Sequence, residues 1–132
     1  MRRADWVSRL WGEIKAAETR PFSYGDHDCC LFVARCIDAM TDSDLEWVLS
    51  FNYHDEPSAL AFIRHEGGME RAVSGFLGDV SDLTRPRRGD VAMVPTERGD
   101  GVGVCVGTTI AVAGDGVEFY PLSAALKTWR VD

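Results

Sequence analysis

Long apolar runs are missing from this chain. No stretch approaches the roughly 20 residues that a transmembrane helix needs, so no membrane span is expected. Positive charge is scarce too: 14 Lys and Arg stand against 21 Asp and Glu, for a net charge of −7. Such a field repels phosphates, and neither nucleic acid nor an anionic membrane surface is an expected partner. The only dense basic patch, Arg85, Arg87 and Arg88 around Pro86, is too short to reverse that balance and reads as a solvated loop. An apolar core is absent behind Arg2 and Arg3, where Asp5, Arg9, Glu13 and Lys15 interrupt the run. No secretory signal is therefore expected, and synthesis and folding in a cytoplasm are. Cysteine is limited to Cys29, Cys30, Cys36 and Cys105, with no C-x-x-C pair to suggest structural zinc. Adjacent cysteines rarely bridge each other, because the geometry is strained. His27 and Cys29 would make half of a metal site with no visible second half, so no metal and no cofactor is expected.

What remains is an ordinary globular composition, 45% apolar and 27% charged over 132 residues, enough for one domain with a real core. Trp6, Val7, Leu10, Trp11, Ile14 and Ala17 recur at helical spacing and predict a helix over residues 4–18. A second helix is predicted over 29–40; it is apolar over most of its circumference and is the expected central buried helix, with Asp28 as its N-cap. A short helical or irregular segment follows at 45–51, then helices from Pro57 to a stop at Gly67-Gly68 and from Met69 to Leu77 before Gly78. After Arg88 the character changes. Val91–Val94, Val102–Val106, Ile110–Ala113 and Val117–Tyr120 are short β-rich runs. Glycine turns separate them, and segments from Pro121 to Ala125 and from Trp129 to Val131 close the chain. Helices first and an antiparallel meander second predict a single α+β domain over 1–132, with a sheet of about five strands.

The chemistry concentrates at Cys29. It follows Asp28 at the predicted start of the buried helix, where unpaired N–H groups and the helix dipole lower a thiol's pKa and favour the thiolate. A thiolate nucleophile needs a base and a proton donor for its leaving group. His27 has two readings: an unusual base that swings over the thiol, or a side chain that packs or hydrogen-bonds the loop setting the helix entry. The second is favoured, because a base belongs across the cleft from its nucleophile, oriented by a third group. His54 and His65 read as surface residues. Asp100 is a weak candidate acceptor, since a surface turn keeps its pKa too low. Cys29 itself reads either as a nucleophile or as a small buried hydrophobe, and Cys36 and Cys105 read as the latter.

Asp28-Cys29-Cys30-Leu31-Phe32-Val33 resembles the Asp-Cys-Ser-Gly-Phe-Val block of the NlpC-type cell-wall peptidases, a papain-like group that cuts peptidoglycan stems. Arg88-Gly89-Asp90-Val91 resembles the Arg-Gly-Asp-Leu opening their first strand, and Val102-Gly103-Val104-Cys105-Val106-Gly107 their Val-Gly-Ile-Tyr-Leu-Gly strand. The ending from Pro121 through Val131 is similar as well, so order and spacing agree over roughly 20–131. Phe22-x-Tyr-Gly-x-His-Asp-Cys looks closer to a compact branch found among phage and prophage tail genes. The resemblance implies a papain-like topology and a cysteine nucleophile at Cys29. It also implies tail proteins and peptidoglycan as partners, and a virion-tail location after synthesis in the host bacterial cytoplasm. It departs from the enzymes at one decisive place. Their base histidine corresponds to Gly101, and their third polar residue falls among Ala111, Val112 and Ala113. The leading expectation is therefore a tail-tip component with a decayed hydrolase site, and the rival an active cysteine peptidase or amidase with an unconventional base. If it docks within a tail, the expected surfaces are the Trp6/Trp11 helix and the Arg85–Arg88 loop.

Overall fold

The computed structural model describes residues 1–82 and 85–132. Its helices come first: α1 (Trp6–Ala17), α2 (Cys29–Thr41), α3 (Leu45–Leu49), α4 (Glu56–Glu66) and α5 (Met69–Leu77). Five strands follow: β1 (Val91–Thr96), β2 (Gly99–Cys105), β3 (Thr109–Gly114), β4 (Gly116–Pro121) and β5 (Lys127–Trp129). They form one antiparallel sheet in the order β4-β3-β2-β1-β5. The first four strands are a meander, and β5 returns to pair with β1 at the far edge. This is the α+β class expected from the order of helical and strand periodicities.

Local chemistry accounts for the helix boundaries. The Asp28 carboxylate accepts the Leu31 N–H at 3.0 Å, which caps α2. Asp55 and Ser58 form a reciprocal capping box at the start of α4, Pro57 occupies its first turn, and Gly67 ends it in the left-handed region at φ 97°. The sheet has two apolar faces. Val91, Met93, Val102, Val104, Ala111 and Trp129 pack with Leu10 and Ile14 of α1 and with Phe32, Cys36, Ile37 and Met40 of α2. Ala92, Val94, Ile110 and Val112 form a second cluster, covered by Tyr120, Leu122 and Ala124. Each such fully buried large aliphatic or aromatic side chain stabilises by roughly 1.5–3 kcal/mol. The helix that carries Cys29 at its first turn thus lies against the middle of the sheet, as its apolar circumference predicted.

Two expectations are corrected. Asp100 was assigned to a surface turn over 98–101, but β2 begins at Gly99, so Asp100 is a strand residue opposite Pro95 and Gly101 is opposite Val94. The turn is only Glu97 and Arg98, because Thr96 closes it twice. Its hydroxyl donates to the Gly99 carbonyl at 2.7 Å and accepts the Arg98 N–H at 3.1 Å. The segment after Pro121 is a 3-10 turn, Leu122–Ala124, and the closing strand is Lys127–Trp129 rather than 129–131. Among the described residues, no helix is long and apolar enough to cross a membrane.

Candidate functional site

The site is built outward from the Asp28 carboxylate, which is only 3% exposed. Besides the Leu31 N–H, it accepts the Tyr53 hydroxyl at 2.7 Å and the Gly25 N–H at 2.9 Å. One buried acid therefore ties together the entry loop, the start of α2 and the segment before α4. Gly25 is required for this: its φ is 87°, and a Cβ there would lie 2.2 Å from the His54 carbonyl oxygen. With the loop pinned on both sides, Cys29 is held at the helix N-terminus and lines a cavity of about 400 Å³.

The cavity walls come from elements far apart in sequence. Phe22 and Tyr24 form one side, α4 contributes Leu60, Ile63 and Arg64, and the β1–β2 hairpin contributes Thr96, Arg98, Asp100 and Gly101. Val112, Ala113 and Glu118 complete it from β3 and β4. Arg98 lies over the Phe22 ring, 4.1 Å from its centroid, and so bridges the hairpin to the entry loop. Glu118 accepts the Tyr120 hydroxyl at 3.3 Å.

The Cys29 thiol is held below its ordinary pKa. A hydrogen bond from the Cys30 thiol is the largest cause, and the backbone N–H groups of Val102 and Cys30 add to it. Burial and the Asp28 charge oppose this. Cys30 is pushed well above the usual range by its interaction with Cys29 and by burial, and its thiol lies 3.9 Å from Met69 Sδ. Cys36 and Cys105 are fully buried, as expected of small core hydrophobes.

The three residues singled out from the sequence part company here. Cys29 and Asp100 line the same cavity, but His27 does not. The His27 ring is fully buried, with Nε2 2.8 Å from the Gly116 carbonyl oxygen and the ring edge-to-face with Phe32. It joins the entry loop to β4, which is the packing role. His54 and His65 sit on the surface. No histidine lines the cavity. The position where a base was sought is Gly101, which lines the same cavity as Cys29; a Cβ built there would meet the Thr96 methyl group at 3.0 Å, the Thr96 hydroxyl oxygen at 3.8 Å and Val112 Cγ1 at 4.0 Å. Gly101 itself supplies no side chain that could serve as a base.

Tyr53, Arg64, Arg98 and Glu118 were not anticipated. Tyr53 reaches Asp28 across 25 positions, a pairing with no local signal. Glu118 carried a faint one, as an acid within the β-rich run from Val117 to Tyr120. Arg64 cannot accept a proton, and the Tyr53 phenol is held neutral by burial. The cavity can thus present a thiolate and bind polar and aromatic groups, but it offers a leaving amine no imidazole, only carboxylates, hydroxyls, high-pKa phenols and the Cys30 thiol. Among the described residues, no group of three or more His, Cys, Asp or Glu side chains has the geometry to hold a metal ion.

Comparison with known proteins places these features in a family without assigning them a chemistry. No curated protein matches the chain. A family model described as a domain of unknown function, DUF6950, matches residues 1–131, and the chain belongs to that family.

Proposed function

We propose that the chain is a phage or prophage tail-tip component on an NlpC-type papain-like fold, with a degenerate cysteine hydrolase site. The observation that carries this reading is the lining of the Cys29 cavity at the positions where a base and its orienting group were sought. Gly101, Val112 and Ala113 line the cavity there, and the nearest histidine in sequence is buried against the Gly116 carbonyl. The ordered motifs and the thiol at a capped helix start support the ancestry; the missing base and orienting group support the loss of turnover. In this reading the protein is made in the host bacterial cytoplasm, joins the virion tail and acts through contacts with other tail proteins.

A second reading has one observation in its favour. The lowered pKa of Cys29 inside a cavity is what an active cysteine peptidase or amidase would need for attack on a peptidoglycan stem peptide. The two are separated by incubating the purified chain, Cys29→Ala and Gly101→His with stem peptides. We expect no turnover by any of them, including Gly101→His, whose imidazole would have no orienting partner at Val112. Wild-type turnover abolished by Cys29→Ala would establish the enzyme. Absence of the protein from purified particles would refute the tail assignment.

A further inference from the structure

The most exposed aromatic rings of the chain lie away from the cavity. Trp47 is 64% and Phe51 72% exposed, and the two rings stand edge-to-face with centroids 4.7 Å apart. Val48 beside them is exposed as well. The opposite side of the same short helix is already used, with Leu45 and Leu49 packed on the core. Helix α3 is thus apolar on both sides, and only one side has a partner within the chain. Two aromatic rings in contact with each other and with water are a surface cost that a lone exposed side chain is not.

The chain segment that carries this patch has charge of one sign. From Cys36 to Ile63 there is no Lys or Arg, while Asp38, Asp42, Asp44, Glu46, Asp55 and Glu56 all fall in that stretch. Four are engaged internally: Asp38 accepts the Leu45 and Glu46 N–H groups, Asp42 pairs with Arg3 and Arg9, Glu46 pairs with Arg35, and Asp55 caps α4 through Ser58. Asp44, one turn before Trp47, and Glu56 have no ion pair among the described residues. An aromatic pair with the unpaired Asp44 one turn away favours a guanidinium or ammonium over its rings and repels an acidic surface.

We propose that α3 and the turn after it, centred on Trp47 and Phe51, dock a segment of another protein carrying apolar side chains interspersed with Arg or Lys. Apolar anchors cover the rings, and the cations meet Asp44 and the ring faces. This gives the tail-component reading a specific contact surface, distinct from the Trp6/Trp11 helix and the Arg85–Arg88 loop. It rests on that reading only for where the partner is found.

The test uses the full chain in solution with a synthetic peptide of Arg and Leu at helical spacing, and a twin with Glu in place of Arg. Binding is followed by tryptophan fluorescence and calorimetry. The Arg peptide should bind at least about tenfold tighter than its twin, with affinity falling as salt rises. The double variant Trp47→Ala/Phe51→Ala should weaken binding at least about tenfold while leaving the thermal midpoint and the Cys29 alkylation rate unchanged. No binding, equal binding of the Glu twin or an unaffected double variant would each overturn the proposal. So would concentration-dependent dimerisation abolished by the same variant, which would make a second copy of the chain the occupant. Loss of the protein from purified particles bears on the tail assignment alone and leaves this measurement standing.

Discussion

Asp28 is the residue on which the cavity's construction most depends, and its removal gives a quantitative test. In Asp28→Ala the helix cap disappears, which costs about 1 kcal/mol. The Tyr53 hydroxyl is left without its acceptor; Tyr53 is 5% exposed, so that buried donor adds about 1–3 kcal/mol. The Gly25 N–H belongs to an exposed residue, turns to water and adds little. The expected loss is about 3 kcal/mol. For 132 residues the unfolding entropy near the midpoint is about 0.28 kcal/mol/K, so the thermal midpoint should fall by about 11 °C. Calorimetry of the single variant, of Tyr53→Phe and of the double variant separates the terms. Asp28→Ala should cost about 1–2 kcal/mol less in the Tyr53→Phe background, because no hydroxyl is then orphaned. A single-variant loss under about 1 kcal/mol, or no coupling with Tyr53, would refute the claim that this carboxylate joins the entry loop, α2 and the segment before α4.

Two further outcomes follow from the thiols. Brief iodoacetamide exposure at pH 7 should modify Cys29 well ahead of Cys36 and Cys105, with its rate levelling off at a lower pH than for a free cysteine; equal protection of all three in peptide maps would make Cys29 a packing residue only. Stability should fall as pH rises above about 8.5 and more steeply above about 10. Burial raises Cys36 and Tyr53, and hydrogen bonding to Cys29 raises Cys30, so the unfolded chain loses these protons first and is favoured as pH climbs. Cys29, held low, opposes this only between its own pKa and about 8.5. Urea midpoints from pH 7 to 10.5 check the sign, Cys36→Ala should flatten the first part of the decline, and a midpoint constant through pH 10 would contradict it.

The sequence by itself determined the features that depend on nearest neighbours. Apolar spacing set α1 and α2, Asp28 announced the start of α2 and Pro57 that of α4, and glycine turns between β-rich runs announced the meander, because capping and periodicity act over three or four residues. It also determined that Cys29 would stand at a helix N-terminus and that Gly101 would offer no side chain. Tertiary structure decided the rest. Thr96, by closing its turn with two hydrogen bonds, moved Asp100 from a loop into a strand. The Gly116 carbonyl took His27 out of the cavity, a contact spanning 89 positions that no local pattern encodes. Tyr53 and Glu118 joined the site only because α2 lies across the sheet and brings distant segments to one rim. Trp47 and Phe51 were ordinary aromatics in sequence; folding left their side of α3 in water once Leu45 and Leu49 had claimed the core.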